Sequence, residues 1–506
     1  MKLKRILCAA LATLMLVSAA ACSETPAEPE DTGSGTPAVP ADEAVPGGEN
    51  QPAGEQAEEA AQEDRASVKD GLPELNFEGR EFRAAQQTSR TYEFYAEELT
   101  GEGTNDAVYN RNLTVEGRFG VKIVSVDYDS LSSITTDVAT LAKAGTDAYE
   151  VVSHYAYRAY VPIHSGVYRN WLDVPNVDFT RPWWNALANE QNTINGYLYT
   201  ATGDVNISSL LTTYAIFFDV PVTEKYGITA ESLYNSVYDG TWTIDHFIGL
   251  TSSIYEDSNG NGKRDDSDTY GFAAWPGISA DAWLPAFDQP ISEKDADGFP
   301  VAAIMSDKTV SALEKMYHFY YETDGGYGDV GSAEGEVDMF ARDLVCFVPS
   351  VFDDAFTVYR YMDSSYGILP YPKWDESQEK YLTNSRDQYT VIGIPIFKPD
   401  GDLEFIGTVM EALSAESWRS VYPQYYDIAL KGKYSLDRDT ATMVDLVLAG
   451  RNYDFSFLFG EAEFNRLPYF FRDLLADRDV NIASKYKKAE KAIRKGTEKL
   501  RGYYGG

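Results

Sequence analysis

The stretch at residues 105–153, NDAVYNRNLTVEGRFGVKIVSVDYDSLSSITTDVATLAKAGTDAYEVVS, decides the fold through its changes of hydrophobic period. Residues 105–119 carry Val108, Val115 and Phe119 at helical spacing and stop at Gly120, and residues 121–126 then alternate as a strand. Residues 132–144 return to a helical period that Gly145 ends, and residues 149–153 read as another strand. With residues 80–85 as a first strand, the order is that of parallel βαβ units, whose ligands bind outside the carboxyl ends of the strands.

Downstream, residues 171–184 mix aromatics with prolines and read as irregular. Residues 196–200, 213–219, 345–349, 366–370 and 391–397 read as strands. Residues 244–255, begun at Thr243, and residues 404–415 and 440–449 read as helices. Residues 295–298, DADG, read as a hairpin turn. The basic stretch 483–501, with Tyr486, Ala489, Ile493 and Leu500 at helical spacing, reads as a helix docked by that apolar stripe. No internal repeat stands out.

The N-terminus carries a different message. MKLKR is followed by an apolar and small-residue run ending in Ala19-Ala20-Ala21-Cys22, the order of a secretory signal at residues 1–21. Cys22 resembles the acylated cysteine of the bacterial lipoprotein lipobox, with Ala19 where that box usually has Leu. Residues 22–71, rich in Pro, Ala, Gly and Glu, are expected to form a disordered acidic tether reaching about 40 Å. Of three Cys, Cys8 leaves with the signal and Cys22 is the lipidation candidate, so Cys346, in an apolar run, is expected to be a buried inert thiol and no disulfide framework is possible.

The whole chain has 43 Lys plus Arg against 79 Asp plus Glu, a formal charge of -36 that makes nucleic acid an improbable ligand. Enzyme signatures are missing: the four His, at 154, 164, 246 and 318, show no HExxH spacing, and neither GxSxG nor a phosphate-binding GxxxxGK[ST] loop occurs. No catalytic residue and no catalytic cofactor is therefore assigned. A pair of carboxylates at hydrolytic distance would leave no trace in the spacing, so a surface-anchored glycoside hydrolase stays an alternative. A sensory or adhesive binding protein is a second.

One loop has metal-ligand spacing. Asp257, Asn259 and Asn261 offer side-chain oxygens, Gly262 permits the sharp turn, Lys263 needs to give only its carbonyl, and Asp265 and Asp268 follow, which fits a weak structural Ca2+ site of the D-x-[DN]-x-[DN]-G type. Asp268 stands where the usual ligand is the longer Glu. A plain Asn-Gly turn is the other reading.

The strings RFGVKI, AGTDAYEVV, INGYLYTATGD with YAIFFD, DGTWTIDHF, DTYGFAAW, YGILPYPKW and DQYTVIGIPIF, in this order, resemble the extracellular solute-binding proteins of carbohydrate ABC importers, the family that includes maltose-binding protein. That resemblance implies an α/β, two-lobed periplasmic-binding-protein-like fold with crossover strands and a ligand cleft between lobes. The crossovers are expected near residues 203–213 and 386–393, giving lobe 1 residues 72–205 and 388–425 and lobe 2 residues 206–387 and 426–506. It further implies a monomer that captures a carbohydrate or other polar solute, an oligosaccharide by preference. An ABC permease in the same membrane would receive it.

With 36 Tyr, 24 Phe and 8 Trp the chain is rich in the flat apolar faces on which sugar rings stack, although core packing is the commoner use of any single aromatic. The ligand-binding candidates are His154, Tyr155, Tyr157 and Arg158 after the strand at 149–153, Asp204 and Thr213 at the first crossover, Trp275 and Trp283 after the YGF strand, and Ser350 and Phe352 after the Cys346 strand. Trp183, Trp184 and Trp242 are assigned to the core. Anchored by Cys22, the protein is expected at the extracellular face of the cell membrane, in a Gram-positive type of envelope, touching the membrane through its lipid only.

Overall fold

The computed structural model describes residues 64–426 and 438–505. Its contacts divide the chain into Met1–Pro52 and Ala53–Gly506, and the second unit is the one described here. The signal, Cys22 and almost all of the tether therefore lie outside the described residues. In chain order the principal strands are β1 (Arg80–Gln87), β2 (Val121–Tyr128), β3 (Val151–Tyr155), β4 (Tyr214–Asp219), β5 (Thr269–Ala273), β6 (Val345–Val351), β7 (Tyr366–Leu369) and β8 (Thr390–Gly393). They form two sheets. The first has the order β8-β3-β1-β2, with β1 parallel to β2 and β3 and β8 returning antiparallel to β3. The second has the order β7-β4-β6-β5, with β5 and β6 parallel and β4 antiparallel to both β6 and β7.

The helices used below are α1 (Gly103–Phe119), α2 (Leu131–Ala144), α3 (Ile244–Thr251), α4 (Asp307–Tyr321), α5 (Ala333–Ala341), α6 (Phe352–Thr357), α7 (Leu403–Glu416), α8 (Arg438–Ala449), α9 (Phe470–Ala476) and α10 (Ile482–Tyr503). The sequence logic of α1 holds in detail. Glu102 caps it by accepting the Asn105 N–H at 3.0 Å, its buried face carries Val108, Val115 and Phe119, and Gly120 ends it in the left-handed region. α1 and α7 cover one face of the first sheet, where Phe82, Val151 and Ile392 meet Val115, Phe119, Ile406 and Met410. Both faces of the second sheet are covered. Along β4, Ala215 and Phe217 pack toward α5 and α8, whereas Ile216 and Phe218 point to the opposite core with Trp242, Phe272 and Trp283, the period of two expected of a strand.

Some sequence expectations give way. Residues 196–200 are not a strand, because Ile194 and Tyr197 close a tight turn through Asn195 and Gly196, both at positive φ. The strand expected at 391–397 forms a ladder over Thr390–Gly393 and then an isolated bridge of Pro395 with Tyr168, where the Arg169 N–H donates to Ile394 O and the Ile396 N–H to Val167 O, both at 2.8 Å. α3 begins at the Thr243 cap as expected but stops at Thr251, and Tyr255–Glu256 is a short strand against β5. Cys346 is fully buried, and burial pushes its thiol up to about 12. The DADG segment is a hairpin turn between Ser292–Lys294 and Pro300–Ala302, and α10 docks through Ile482, Ala489, Ile493 and Leu500.

The chain passes from the first sheet to the second and back along two neighbouring segments. Ala201 and Ile392 exchange backbone hydrogen bonds of 3.0 and 2.8 Å, and the Arg386 N–H donates to Thr212 O at 2.8 Å. Between them lies a buried polar node. Glu93 accepts the Ser208 N–H at 2.9 Å and the Thr390 hydroxyl at 2.7 Å, while the Thr390 N–H donates to Ser208 Oγ at 3.0 Å and the Asn206 amide to Thr390 Oγ1 at 2.8 Å.

A second buried carboxylate gives a pH-dependent stability. Glu411 on α7 is 1% exposed and accepts the indole N–H groups of Trp183 at 2.9 Å and Trp184 at 2.7 Å. Burial raises its carboxyl to about 7, against the indole hydrogen bonds that lower it. A carboxyl whose folded pKa exceeds its unfolded value of about 4.3 favours the folded state below that value and loses the contribution as pH rises through the folded one. Urea unfolding should therefore show stability falling from about pH 4 to about pH 7, and Glu411→Gln should flatten the slope while costing about 1–3 kcal/mol, because one amide oxygen cannot accept from both indoles as two carboxylate oxygens do.

Candidate ligand-binding cleft

Helix-capped strand ends converge where the two crossing segments run. β1 is followed by a 3-10 turn at Thr88–Glu93 that carries Arg90, and β3 by Tyr155 and Tyr157. β5 leads into Trp275, Ile278 and Ser279, β6 ends in Ser350 and opens α6 with Asp353 and Asp354, and the returning segment supplies Arg386. A cavity of 320 Å³ lies on the second-sheet side of these groups, lined among others by Tyr214, Ser279, Glu336, Ser350, Asp354 and Arg386, with no lining residue from the first sheet. Its volume falls at the lower end of the range of about 300–1,000 Å³ typical of small-molecule sites.

The lining is polar and mutually held. Glu336 on α5 is buried, accepts the Ser279 hydroxyl, and accepts the Trp275 N–H at 2.6 Å. Burial pushes its carboxyl well above the ordinary range, and the charges of Asp354 and Arg386 add smaller opposing effects. Asp354 accepts the Ser350 hydroxyl and is likewise raised by burial. Asp353 is raised by burial as well, against the attraction of Arg90 from the first sheet and Arg386 from the crossing segment. The Arg90 guanidinium sits 5.2 Å from the Tyr155 ring and donates to the Tyr92 hydroxyl at 2.6 Å. Gly277 is fixed by Trp275, since a Cβ there would fall 2.5 Å from the indole.

The structure separates the sequence candidates. Ser350 lines the cavity, Trp275 is half-buried beside it with its N–H on Glu336, and Tyr155 lies half-buried under Arg90. Tyr157 and Arg158 are half-buried at the end of β3, with the Tyr157 N–H on Asp387 O at 3.1 Å. Trp283 and Phe352 are core residues instead. Trp283 has no exposed surface and spends its indole N–H on Tyr320 Oη at 3.0 Å, and Phe352 packs with Val108, Leu210 and Phe340. His154 is buried, with Nε2 2.8 Å from Tyr168 Oη and Nδ1 3.1 Å from Tyr155 O; burial lowers it to about 4, so the ring is neutral and structural. Thr213 is buried and donates to Ser209 O at 3.0 Å, and Asp204, half-buried near Arg451 and raised by burial to about 7, belongs to the first crossing segment outside the cavity lining. Trp183, Trp184 and Trp242 are buried, as the sequence assigns them. Arg90, Glu336, Asp353, Asp354 and Arg386 were not singled out. Asp353 and Asp354 adjoin Phe352 in sequence, and Arg386 opens the expected second crossover.

None of the candidate calcium-loop residues lines this cavity, and the loop folds on itself. Asp257 accepts the N–H groups of Asn261 at 3.1 Å and Gly262 at 2.8 Å, Asn259 Oδ1 accepts the Asn261 N–H at 2.9 Å, and Asn261 Oδ1 accepts the Lys263 N–H at 2.7 Å. The side-chain amides of Asn259 and Asn261 donate to Asp265 at 3.0 and 2.7 Å. Asp268 is fully buried; one oxygen accepts the Asp265 N–H at 3.2 Å and the other has no partner among the described residues. The donor set, carboxylate and carboxamide oxygens with a lysine carbonyl, has the chemistry of a Ca2+ loop. Among the described residues no three His, Cys, Asp or Glu side chains form a metal-holding group, so such an ion would depend on the two Asn.

Behind Tyr214, whose hydroxyl donates to Ile278 O at 2.9 Å, Arg472 of α9 pairs with the buried Asp281 at 2.6 Å, and Tyr469 donates to Asp387 at 2.8 Å. Burial raises Asp281 to about 8 against the pull of Arg472.

The fold so assembled is that of the two-lobed α/β solute-binding proteins. A cyclo/maltodextrin-binding protein complexed with maltotetraose matches with a TM-score of 0.54 and 10% identity, over 84% of this chain and 99% of its own. The galacto-N-biose/lacto-N-biose I-binding protein of an ABC transporter from Bifidobacterium longum, in complex with lacto-N-biose, gives 0.52 and 11% over 82% and 98%. The maltose/maltodextrin-binding domain from Bdellovibrio bacteriovorus, bound to maltotriose, gives 0.51 and 14% over 83% and 100%. No protein-family model matches this chain, and no curated protein sequence is significantly similar to it. Among the described residues no helix is long and apolar enough to cross a membrane.

The buried pair under the cavity is testable by itself. At neutral pH Arg472→Met should lower unfolding stability by about 1–3 kcal/mol, because the buried Asp281 carboxyl loses its hydrogen-bond partner, and adding Asp281→Asn should recover part of that loss in a double-mutant cycle.

Proposed function

We propose that this chain is the solute-binding component of an ABC importer, and that it captures a carbohydrate in the cleft between its lobes and hands it to a permease. One observation carries the reading: the 320 Å³ cavity on the second-lobe side of the cleft, lined by carboxylates, hydroxyls and a guanidinium, in a fold shared with saccharide-binding proteins. Hydroxyl-rich ligands need this mixture of acceptors and donors, and the ring of Tyr214 lines the cavity with Trp275 held next to it on Glu336.

In this reading lobe 1 is built on the first sheet, residues 72–205 and 388–425, and lobe 2 on the second, residues 206–387 and 426–506. The two crossing segments are the hinge, and closure buries the sugar without breaking a bond. Cys22 carries the lipid, the acidic tether lets the domain reach its permease at the extracellular face of a Gram-positive type membrane, and the protein works as a monomer. The loop from Asp257 to Asp268 holds a weakly bound structural Ca2+ through Asp257, Asn259, Asn261, the Lys263 carbonyl, Asp265 and Asp268, away from the sugar.

A thermal-shift screen against neutral oligosaccharides, run with and without a chelator and followed by chromatography of the sugar, tests these points together. A matching oligosaccharide should raise the melting temperature in proportion to the logarithm of its concentration and be recovered intact, and chelation should lower the temperature of the unliganded protein. No shift with any saccharide would sink the carbohydrate reading, recovered fragments would make the protein a hydrolase, and indifference to the chelator would remove the calcium.

A further inference from the structure

Arg386 is the one cationic side chain in the cavity lining among the described residues. Its backbone belongs to the segment returning to the first sheet, where its N–H is fixed on Thr212 O at 2.8 Å and its carbonyl accepts the Tyr389 N–H at 3.0 Å. Its side chain lines the cavity, and the buried Nε has no partner among the described residues.

Four carboxylates surround it without spending its donors. Glu334, Glu336, Asp353 and Asp354 all lie within electrostatic reach of the guanidinium. Glu336 is occupied by Ser279 and Trp275, and Asp354 by Ser350 and the Val351 N–H. Asp338, which also lines the cavity, is paired with Arg342 at 2.9 Å. The charge thus sits in the cavity lining with its buried Nε unspent among the described residues. A guanidinium presents two parallel donors and stays charged at any relevant pH, so it can grip a pair of neighbouring oxygens.

We propose that Arg386 is the specificity-determining contact that couples the bound saccharide to the hinge: its guanidinium donates to adjacent hydroxyl oxygens of a neutral sugar, while the carboxylates around it turn away sugars that carry an acid group. This rests on the carbohydrate reading and adds to it a residue, a charge class and a route from ligand to crossover. The route is short. Asp387, the next residue, receives the Tyr157 N–H of the first lobe on its carbonyl and the Tyr469 hydroxyl on its carboxylate, so a pull on Arg386 is felt on both sides of the cleft. A uronate would bring a carboxylate among four others, of which burial keeps three above the ordinary range. Its attraction to one arginine would be opposed by the surrounding carboxyl groups.

The test is calorimetric titration of the mature chain with matched neutral and uronate oligosaccharides, using a neutral sugar that raises the wild-type melting temperature. The wild-type protein should bind the neutral member and bind its uronate counterpart at least tenfold more weakly. Arg386→Met should weaken neutral binding by about 10- to 100-fold, the loss of a charged hydrogen-bond donor pair, and Arg386→Lys should fall between, since it keeps the charge but not the fork. The melting temperature of each unliganded variant reports whether it has folded, and the lysine variant preserves the test should the methionine one fail. Wild-type affinity in a folded Met or Lys variant would overturn the assignment of Arg386, and equal or tighter uronate binding would overturn the charge selection; both leave the carbohydrate reading intact. Binding of no saccharide by the wild-type protein would remove that reading, and this one with it.

Discussion

The structure hinges on a requirement of elementary chemistry: a chain that crosses twice between two sheets takes backbone amides and a carboxylate out of water, and each must find a partner. Glu93, Ser208 and Thr390 meet that requirement for one another, with Asn206 completing the set. The node ties the turn after β1 to both crossing segments. Arg111 reinforces it from α1, donating to the Glu93 carbonyl at 2.8 Å. Because Arg90 lies just before Glu93 and Arg386 just before Thr390, the node also fixes where two cleft guanidinium groups begin. Fold and site share an origin there.

From that anchor the electrostatics of the cleft follow. Helices α5 and α6 bring Glu336 and Asp354 into the cavity lining, with Asp353 beside them. Burial disfavours the charge on these groups, and neutral donors such as Ser279, Ser350 and the Trp275 N–H stabilise them only in part. The cavity is therefore a set of acceptors of weakened charge around one strongly charged donor, an arrangement that suits many hydroxyls better than one ion. Asp281 and Arg472 extend the polar packing beneath it and stiffen the floor.

Much of this could be read from the residues. The alternation of periods in residues 105–153 announced β2 and β3 with α1 and α2 between and before them, and the glycines and caps set their ends within a few positions. Short-range chemistry misled at residues 196–200, where the apolar pattern was right for a strand but Asn195 and Gly196 imposed a turn. Trp283 and Phe352 were assigned to the ligand because both follow a strand end, yet helix packing on both faces of the second sheet draws such large side chains inward. Arg386 and Glu336 were invisible for the opposite reason. They lie on separate elements, and only the fold brings a guanidinium and that carboxylate to one cavity.

In the proposed function the two crossing segments are a hinge that closes the first lobe over the cavity of the second. Small-angle X-ray scattering of the mature chain, unliganded and saturated with an oligosaccharide that raises its melting temperature, measures that claim directly. Hinge closure predicts a smaller radius of gyration and a narrower distance distribution in the saturated protein. Identical scattering with the sugar demonstrably bound would contradict it.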